Sequence, residues 1–186
     1  MNIQSLIKQR SQENAIPFVR DDTLSFIINY IDTNHIKSIL EIGTGYGYSA
    51  YSMSLTNASQ IVTVEKNEDN FETAYDFLKD NPKITCVNDD AFDYSVHQSF
   101  DLIFIDGPKS HQEELVEKYM NNLNDNGTII IDNVFLKKFD KISNPTKNQK
   151  SLITKVQNFR KWLLDNHSLS VKIIDLDDGI AILKLK

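Results

Sequence analysis

The sequence is poor in cysteine and has no long hydrophobic run. Its 186 residues include a single cysteine, Cys86, so no disulfide can form within the chain. Cys86 lies in an apolar alternating stretch typical of a strand, and we expect it to be a core residue. No apolar stretch approaches the roughly 20 residues of a membrane-spanning helix, and the polar N-terminus lacks a signal-peptide core. These absences predict a cytoplasmic protein that does not enter a membrane.

Glycine and proline are scarce too, with six and four residues, and half of the glycines stand together. Gly43, Gly45 and Gly47 directly follow the apolar run at 39–42, which is typical of a buried parallel strand. A strand that breaks into a glycine turn before a helix is a common nucleotide-cofactor site, because glycine lets the backbone turn sharply and approach the ligand. The stretch predicts such a site, and a glycine turn without a cofactor is the alternative.

The spacing of these glycines favours one class of cofactor. The dinucleotide fingerprint is G-x-G-x-x-G, whereas this chain has G-x-G-x-G and an acidic residue, Glu41, two positions before the first glycine. A ligand with an ammonium and a sulfonium but no pyrophosphate suits such an acid-flanked turn, and S-adenosylmethionine fits that description. An NAD-dependent Rossmann enzyme, or a cofactor-binding module without catalysis, is the alternative from another class.

Apolar runs and helical stripes alternate along the chain, as in a parallel sheet covered by helices on both faces. With 40% hydrophobic and 25% charged residues, this pattern predicts one α/β domain with a doubly wound sheet. The Asp178-Gly179 pair between two apolar runs predicts an antiparallel hairpin at 171–185. The other predicted strands are 38–42, 61–65, 84–87, 102–106 and 128–132. The predicted helices are 2–14, 71–78, 115–123 and 152–163, together with one that begins at Asp21 or Asp22. Asn126-Gly127 is the expected C-terminal stop of the helix at 115–123.

Acidic residues follow the ends of four predicted strands. Glu65 ends the second strand, at the distance from the glycines expected of an acid that binds ribose hydroxyls. Asp89 and Asp90 follow the third strand, and Asp106 and Asp132 end the fourth and fifth. A single strand-end acid is often a helix cap. Four at one sheet edge predict a ligand site, because ligands bind beyond the carboxyl ends of parallel strands.

Two of these acids also predict a metal site. Strands four and five should be neighbours, so Asp106, Asp132 and Asn133 would offer two carboxylates and one amide oxygen to a common point. Mg²⁺ prefers such oxygen ligands, of which one or two are typically carboxylates. The sequence has no Cys/His cluster, which argues against a soft transition metal.

The charge is distributed unevenly along the chain. The net charge is −6, but residues 137–161 carry eight basic residues and one acidic residue, a net charge of +7 that leaves −13 for the remainder. Such asymmetry predicts that a polyanion contacts one face of the protein. The alternative is a solvated helix face beside a lysine-rich loop.

Three stretches together resemble the cation-dependent class I O-methyltransferases of the catechol and caffeoyl-CoA type. They are E-I-G-T-G-Y-G-Y-S at 41–49, I-D-G-P-K at 105–109 and D-N-V at 132–134. The resemblance covers essentially the whole chain. It implies a Rossmann-like, doubly wound, seven-stranded class I S-adenosylmethionine (SAM) methyltransferase sheet with an antiparallel C-terminal hairpin. It also implies one domain over residues 1–186, in which N-terminal helices within 1–35 cover the cofactor and substrate site.

The resemblance assigns roles to individual residues. Lys109 and Asp106 are the implied catalytic residues, with Lys109 assisting removal of the acceptor proton or stabilising the oxyanion. Asp106, Asp132 and Asn133 are the implied ligands of Mg²⁺ or another divalent cation. The implied contacts with SAM are Val19, Gly43, Ser49, Glu65, Asp90, Ala91 and Asp106.

Within this family the chain most resembles the bacterial tRNA 5-hydroxyuridine O-methyltransferases, which implies conversion of wobble 5-hydroxyuridine to 5-methoxyuridine. A 5-hydroxyuridine offers its 5-oxygen and 4-carbonyl oxygen to a metal much as a catechol offers two adjacent oxygens. A methyltransferase for small catechol-like or caffeoyl-CoA-like molecules is therefore the alternative. Family members are often dimers, so a homodimer is expected. The expected contacts with the tRNA anticodon loop are Lys137, Lys138, Lys147, Lys150, Lys155 and Arg160.

Overall fold

The structure is a computed structural model that describes residues 2–139 and 142–186, apart from the side chain of Lys138. The tRNA contact expected of Lys138 thus lies outside the described side chains, and Asp140 and Lys141 of the basic segment lie outside the described residues. The helices are α1 (Ile3–Glu13), α2 (Asp21–Thr33), α3 (Tyr48–Ser54), α4 (Glu68–Leu78), α5 (Gln112–Tyr119) and α6 (Lys147–Asp165). The strands are β1 (Ser38–Ile42), β2 (Gln60–Glu65), β3 (Ile84–Asn88), β4 (Phe100–Ile105), β5 (Leu123–Asp132), β6 (Leu169–Ile174) and β7 (Ile180–Leu185).

The seven strands form one sheet in the order β3-β2-β1-β4-β5-β7-β6. The first five strands of the chain are parallel, and β7 pairs antiparallel with both β5 and β6. The predicted doubly wound sheet and C-terminal hairpin are confirmed. The chain winds outward in one direction from β1 to β3 and in the other from β4 to β5, so the order reverses between β1 and β4. Ligands of open α/β sheets bind at such a switch point.

Two apolar clusters bury the two faces of the sheet. Ile27 of α2 and Met53 of α3 belong to one cluster, and Tyr119 of α5 and Phe159 of α6 belong to the other. Cys86, expected in the core, is half-buried against the first cluster, and burial raises the pKa of its thiol to about 11. Among the described residues, no helix is both long enough and apolar enough to cross a bilayer.

The helix predicted at 115–123 is wrong at its C-terminal end. α5 ends at Tyr119, a short 3-10 turn follows, and β5 begins at Leu123. Asn126 stands inside β5 with a left-handed φ of 64°, where the pairing with β4 passes over the residues between Leu123 and Thr128. Pairing with β4 overrides the helical periodicity here, so the Asn-Gly pair belongs to a strand irregularity and not to a helix stop.

Candidate functional site

A cavity of about 760 Å³ lies at the carboxyl ends of the parallel strands, within the size range of small-molecule sites. Its walls come from the glycine turn after β1, the ends of β2 and β4, the loop after β3 and the segment between α1 and α2. Lys109 also lines it, from a 3-10 turn that follows β4. All residues expected to contact SAM line this cavity: Val19, Gly43, Ser49, Glu65, Asp90, Ala91 and Asp106.

The glycine turn requires glycine for two physical reasons. Gly43, Gly45 and Gly47 have φ values of 99°, 54° and 89°, a region that L side chains rarely adopt. A Cβ on Gly43 would also lie 2.6 Å from the backbone oxygen of Asp106, which is far inside van der Waals contact. The turn after β1 therefore packs directly against the turn after β4, and the cofactor side of the cavity touches the acidic end of β4.

Two acidic side chains stand where the cofactor site was expected. Glu65 accepts hydrogen bonds at 2.9 Å from the backbone N–H groups of Gly45 and Asn67, which fixes its carboxylate at the end of β2. Asp90 accepts a hydrogen bond from Lys66 Nζ at 2.6 Å, and this contact lowers the pKa of its carboxyl. Acids held at the ends of β2 and β3 can accept hydrogen bonds from the hydroxyl and amino groups of a nucleoside.

A third acid, Glu41, is fully buried beneath the turn. Thr63 Oγ1 donates to Glu41 Oε2 at 2.6 Å and accepts from Thr44 Oγ1, also at 2.6 Å. Burial raises the pKa of Glu41 to about 7. Glu41 is thus joined to the glycine turn through two threonines, a connection that sequence reasoning missed because β2 supplies the middle hydroxyl.

The buried carboxyl of Glu41 makes stability fall as the pH rises. Between its ordinary pKa of about 4.5 and its folded pKa of about 7, the folded chain keeps a proton that the unfolded chain releases. The free energy of unfolding should therefore fall by about 3 kcal/mol over this pH range, since one pKa unit corresponds to about 1.4 kcal/mol, and Glu41→Gln should abolish this decrease. Denaturant unfolding at pH 4.5 and pH 7.5 measures the difference. The exposed Glu72→Gln is the control, and equal pH dependence in wild type and Glu41→Gln would contradict the expectation.

The acids proposed as metal ligands follow two paired strands. Ile105 and Ile131 are partners in parallel register, so Asp106 and Asp132 emerge side by side. Asp106 lines the cavity, whereas Asp132 is only 5% exposed and does not form part of the cavity wall. Asn133 follows with a left-handed φ of 63°, and its backbone N–H donates to Asp132 Oδ1 at 2.7 Å.

Electrostatics make this pair of acids costly without a cation. Burial and the charge of Asp132 raise the pKa of Asp106 to about 8, and the nearby Lys109 only partly opposes them. Burial also raises the pKa of Asp132. Within residues 2–139 and 142–186, no three His, Cys, Asp or Glu side chains are placed to hold a metal. The available donors, two carboxylates and the Asn133 amide, suit a hard cation that keeps water and substrate ligands.

Gln112, which sequence reasoning missed, holds the end of β5 in place. Its side chain is 2% exposed, and its Nε2 donates to the backbone oxygen of Asp132 at 2.9 Å. Gln112 begins α5, so the helix that follows the Lys109 turn is joined to the strand that carries Asp132. The helix predicted from the sequence began at residue 115, so no sequence signal pointed to this role of Gln112.

The turn of the C-terminal hairpin joins the two sides of the site. Asp177 accepts hydrogen bonds from the backbone N–H and Oγ1 of Thr23 in α2, at 3.1 and 2.8 Å. Asp178 accepts from Arg20 Nη2 at 2.7 Å, and its backbone oxygen accepts from the N–H of Phe135 at 2.7 Å. The segment before α2 lines the cofactor cavity, and Phe135 lies two residues after Asn133. The hairpin turn thus anchors both the cavity wall before α2 and the segment after Asn133.

The expected tRNA contacts occupy α6 and the 3-10 turn before it. Lys147, Lys150 and Lys155 are exposed on α6, which packs against α5 and against the turn that contains Lys109. Lys137 pairs with Asp175, and the Arg160 guanidinium lies 5.0 Å from the centroid of the Phe135 ring. The basic residues of α6 are therefore on a helix adjacent to the Lys109 turn.

Comparison with known proteins identifies related structures. A family model described as O-methyltransferase matches residues 4–186. A candidate caffeoyl-CoA O-methyltransferase from Staphylococcus aureus has 27% identity and a TM-score of 0.90, covering 100% of this chain and 93% of that chain. An O-methyltransferase from Bacillus cereus, solved in complex with SAH (S-adenosylhomocysteine), has a TM-score of 0.83 over 99% of this chain and 90% of that chain. Its 21% identity supports similarity of fold alone.

Curated proteins match over shorter stretches. A probable cobalt-precorrin-6B C(15)-methyltransferase (decarboxylating) from Thermoplasma volcanium is 29% identical over 129 residues, which is 67% of this chain and 64% of that protein. A second match, from Methanocaldococcus jannaschii, extends over 55% of its own length. The chain thus spans less than two thirds of the curated relatives it matches.

The family match and the fold agree over nearly the whole chain. The matched region, 4–186, contains all seven strands and the complete cavity wall. The glycine turn, the strand-end acids and the lysine after β4 occupy one edge of that sheet. The chain belongs to the O-methyltransferase family.

Proposed function

We propose that this protein transfers the methyl group of SAM to the 5-oxygen of 5-hydroxyuridine in tRNA, at the wobble position, with the help of a divalent cation such as Mg²⁺. One observation carries the proposal. Asp106 and Asp132, with Asn133 beside them, end two paired strands next to Lys109 and the cofactor-sized cavity. This arrangement supports methylation of an oxygen that must first lose its proton.

Methyl transfer from a sulfonium is an in-line displacement, so the protein mainly orients its reactants. Glu65 and Asp90 would hold the nucleoside part of SAM, and the backbone of the glycine turn, which lines the same cavity, would contact its methionine part. Asp106 lines the same cavity and thus faces both reactants. The acceptor oxygen enters from the side of Lys109.

Asp106, Asp132 and Asn133 would hold the cation, because their carboxylate and amide oxygens suit a hard divalent ion. When bound, a divalent cation lowers the pKa of a coordinated hydroxyl and fixes its position. Lys109 receives the acceptor proton or stabilises the developing oxyanion with its positive charge. Gln112 keeps Asp132 in place through its backbone oxygen.

The exposed lysines of α6 favour a nucleic-acid substrate. They lie on the helix that packs against the Lys109 turn, so phosphates bound there would place an unstacked base at the acceptor site. An O-methyltransferase for small catechol-like or caffeoyl-CoA-like molecules is the second candidate. It is favoured by the similarity to the Staphylococcus aureus protein, which carries that description.

Nucleoside mass spectrometry tests the proposal directly. Hydroxyuridine-containing tRNA is incubated with the protein and SAM, either with Mg²⁺ or with a chelator, beside a free catechol as a parallel substrate. We expect 5-methoxyuridine only in the presence of the metal. Methylation of the catechol alone would favour the second candidate. Calorimetric binding of NAD but not of SAH would contradict both.

Reversing the charge of three lysines should weaken tRNA binding. The triple change Lys147→Glu, Lys150→Glu and Lys155→Glu should lower tRNA affinity at least tenfold. It should also reduce the slope of log affinity against log salt by about 2–3, because each lost phosphate contact removes about 0.7–0.9. Filter binding at several salt concentrations measures both quantities.

The matched control reverses three exposed lysines elsewhere, Lys172, Lys184 and Lys186, which changes the net charge equally. It should retain most of the tRNA affinity. Equal losses in the two triple variants would mean that net charge, and not the face of α6, governs binding. Unchanged activity on tRNA in the α6 variant would contradict the proposed interface.

A further inference from the structure

A second cavity lies between α6 and the segment that follows the proposed metal ligands. Its volume is about 250 Å³, below the roughly 300–1,000 Å³ of sites for complete small molecules. It is therefore suited to one ring system that belongs to a larger ligand. Phe135, Leu136, Phe139, Ile153 and Val156 supply apolar walls, and Lys137, Gln157, Arg160 and Asp175 supply polar groups.

One of the two described basic side chains at this cavity is paired with a carboxylate and the other is not. Asp175 pairs with Lys137, whereas Arg160 has no carboxylate within ion-pair distance among residues 2–139 and 142–186. Arg160 is half-buried, and its described contact is the stacking of its guanidinium over the Phe135 ring. A guanidinium offers five N–H donors and recognises phosphate well. The cavity thus combines an apolar pocket with a positive charge that no carboxylate of the described residues pairs with.

The aromatic wall of this cavity is anchored by the hairpin turn beside the proposed acceptor site. The N–H of Phe135 donates to the backbone oxygen of Asp178 at 2.7 Å. A Cβ on Gly179 would overlap the Phe135 ring, which shows how closely the hairpin turn packs against it. Phe135 is also only two residues beyond Asn133. A group bound in this cavity would lie next to a substrate held at the proposed metal site.

We propose that this cavity binds the nucleotide next to the methylated uridine in tRNA, with its base between the apolar walls and its phosphate on Arg160. The inference rests on the proposed function. Unstacked RNA bases are commonly bound by aromatic side chains and arginine planes, and their phosphates by arginine. The cavity would then select an acceptor uridine within an RNA chain over a free nucleoside.

The test compares two substrates, a synthetic anticodon stem-loop with 5-hydroxyuridine at the wobble position and the free 5-hydroxyuridine nucleoside. Arg160→Ala should lower kcat/KM on the stem-loop about 10- to 100-fold, mainly through KM, as expected for loss of a charge-assisted hydrogen bond. It should leave kcat/KM on the nucleoside within twofold. Arg160→Lys should recover part of the loss. Lys172→Ala, an exposed lysine on β6 outside the basic segment, is the control and should change kcat/KM on neither substrate.

A change in the RNA tests the proposed subsite in the unaltered protein. An abasic residue placed in turn on each side of the target should lower wild-type kcat/KM at one of the two positions. Ile153→Phe, which fills the cavity, should lower kcat/KM on the intact stem-loop and make the enzyme insensitive to that abasic residue.

The outcomes separate the two proposals. Methylation of the stem-loop that is unaffected by Arg160→Ala and by either abasic residue would overturn the subsite and leave the proposed function intact. Equal losses of Arg160→Ala on stem-loop and nucleoside would also overturn the subsite. A wild-type protein that methylates catechol but neither hydroxyuridine substrate would overturn the proposed acceptor and the subsite with it.

Discussion

Asp132→Asn should abolish methyl transfer while leaving the fold and the cofactor site intact. The change removes one of two carboxylates from the proposed cation site and keeps a side-chain oxygen that can accept from the N–H of Asn133. Loss of an ionised ligand should lower kcat by about 10³-fold or more, because the acceptor hydroxyl then keeps its proton. SAH affinity, measured by calorimetry, should stay within about twofold, since Asp132 does not line the cofactor cavity.

The melting temperature of the Asp132→Asn variant distinguishes a functional role of Asp132 from a structural one. Asp106 and Asp132 repel each other, so neutralising one of them should leave Tm unchanged or raise it by about 2–4 °C, the effect of about 1 kcal/mol in a chain of this size. A residue needed for folding would lower Tm. Asp125→Asn, on an exposed position of the same strand, is the control for both readouts. Full activity of Asp132→Ala in the presence of a chelator would contradict the metal mechanism.

Gly43→Ala should damage both the fold and the cofactor site. Alanine is strained at a φ of 99°, and its Cβ would lie 2.6 Å from a backbone oxygen, that of Asp106, which cannot rotate away as a side chain can. We expect a loss of about 3 kcal/mol or more in the free energy of unfolding, or about 6–12 °C in Tm. Because the added methyl group would push the turn after β1 away from the turn after β4, SAH affinity should also fall at least tenfold.

Gly107→Ala is the matched control for this prediction. Its φ lies outside the left-handed region. Its added Cβ would lie 3.3 Å from the side chains of Ile42 and Leu115, and the backbone oxygen of Ile42 is at an ordinary contact distance of 3.8 Å. The loss in stability should therefore be clearly smaller. Thermal unfolding and calorimetry with SAH on both variants give the comparison. A Gly43→Ala variant that unfolds and binds like the wild type would show that the turn does not depend on close backbone approach.

The local sequence predicted the bounds of strands and turns where a single pattern of apolar residues and glycine was present. The strand at 38–42 was predicted to the residue, because its apolar run stops at a glycine turn that no helix or strand continues through. The hairpin around Asp178-Gly179 followed from the same kind of signal, and Gly179 has the positive φ that it implies. The helix ending near Leu123 was wrong, because its apolar periodicity extended into residues that pair with β4.

Contacts between distant segments were not accessible from the sequence. Thr63 links Glu41 to Thr44 from a neighbouring strand, and Asp177 caps α2 across 154 residues of chain. Such hydrogen bonds leave no periodic or compositional signal. The lack of a carboxylate partner for Arg160 within the part of the chain that the structure describes likewise left no sequence signal, because it depends on the pairing of Asp175 with Lys137.

The sequence by itself determined the order of strands and helices, the glycine turn and the acids that end the strands, because backbone conformation and burial impose short-range patterns on residue type. Only the tertiary structure decided how deeply those acids are buried where they meet. Parallel pairing of β4 with β5 brings Asp106 and Asp132 side by side, and burial there turns two ordinary carboxylates into a repulsive pair. That repulsion depends on distance and desolvation, which arise only when segments remote in sequence pack together.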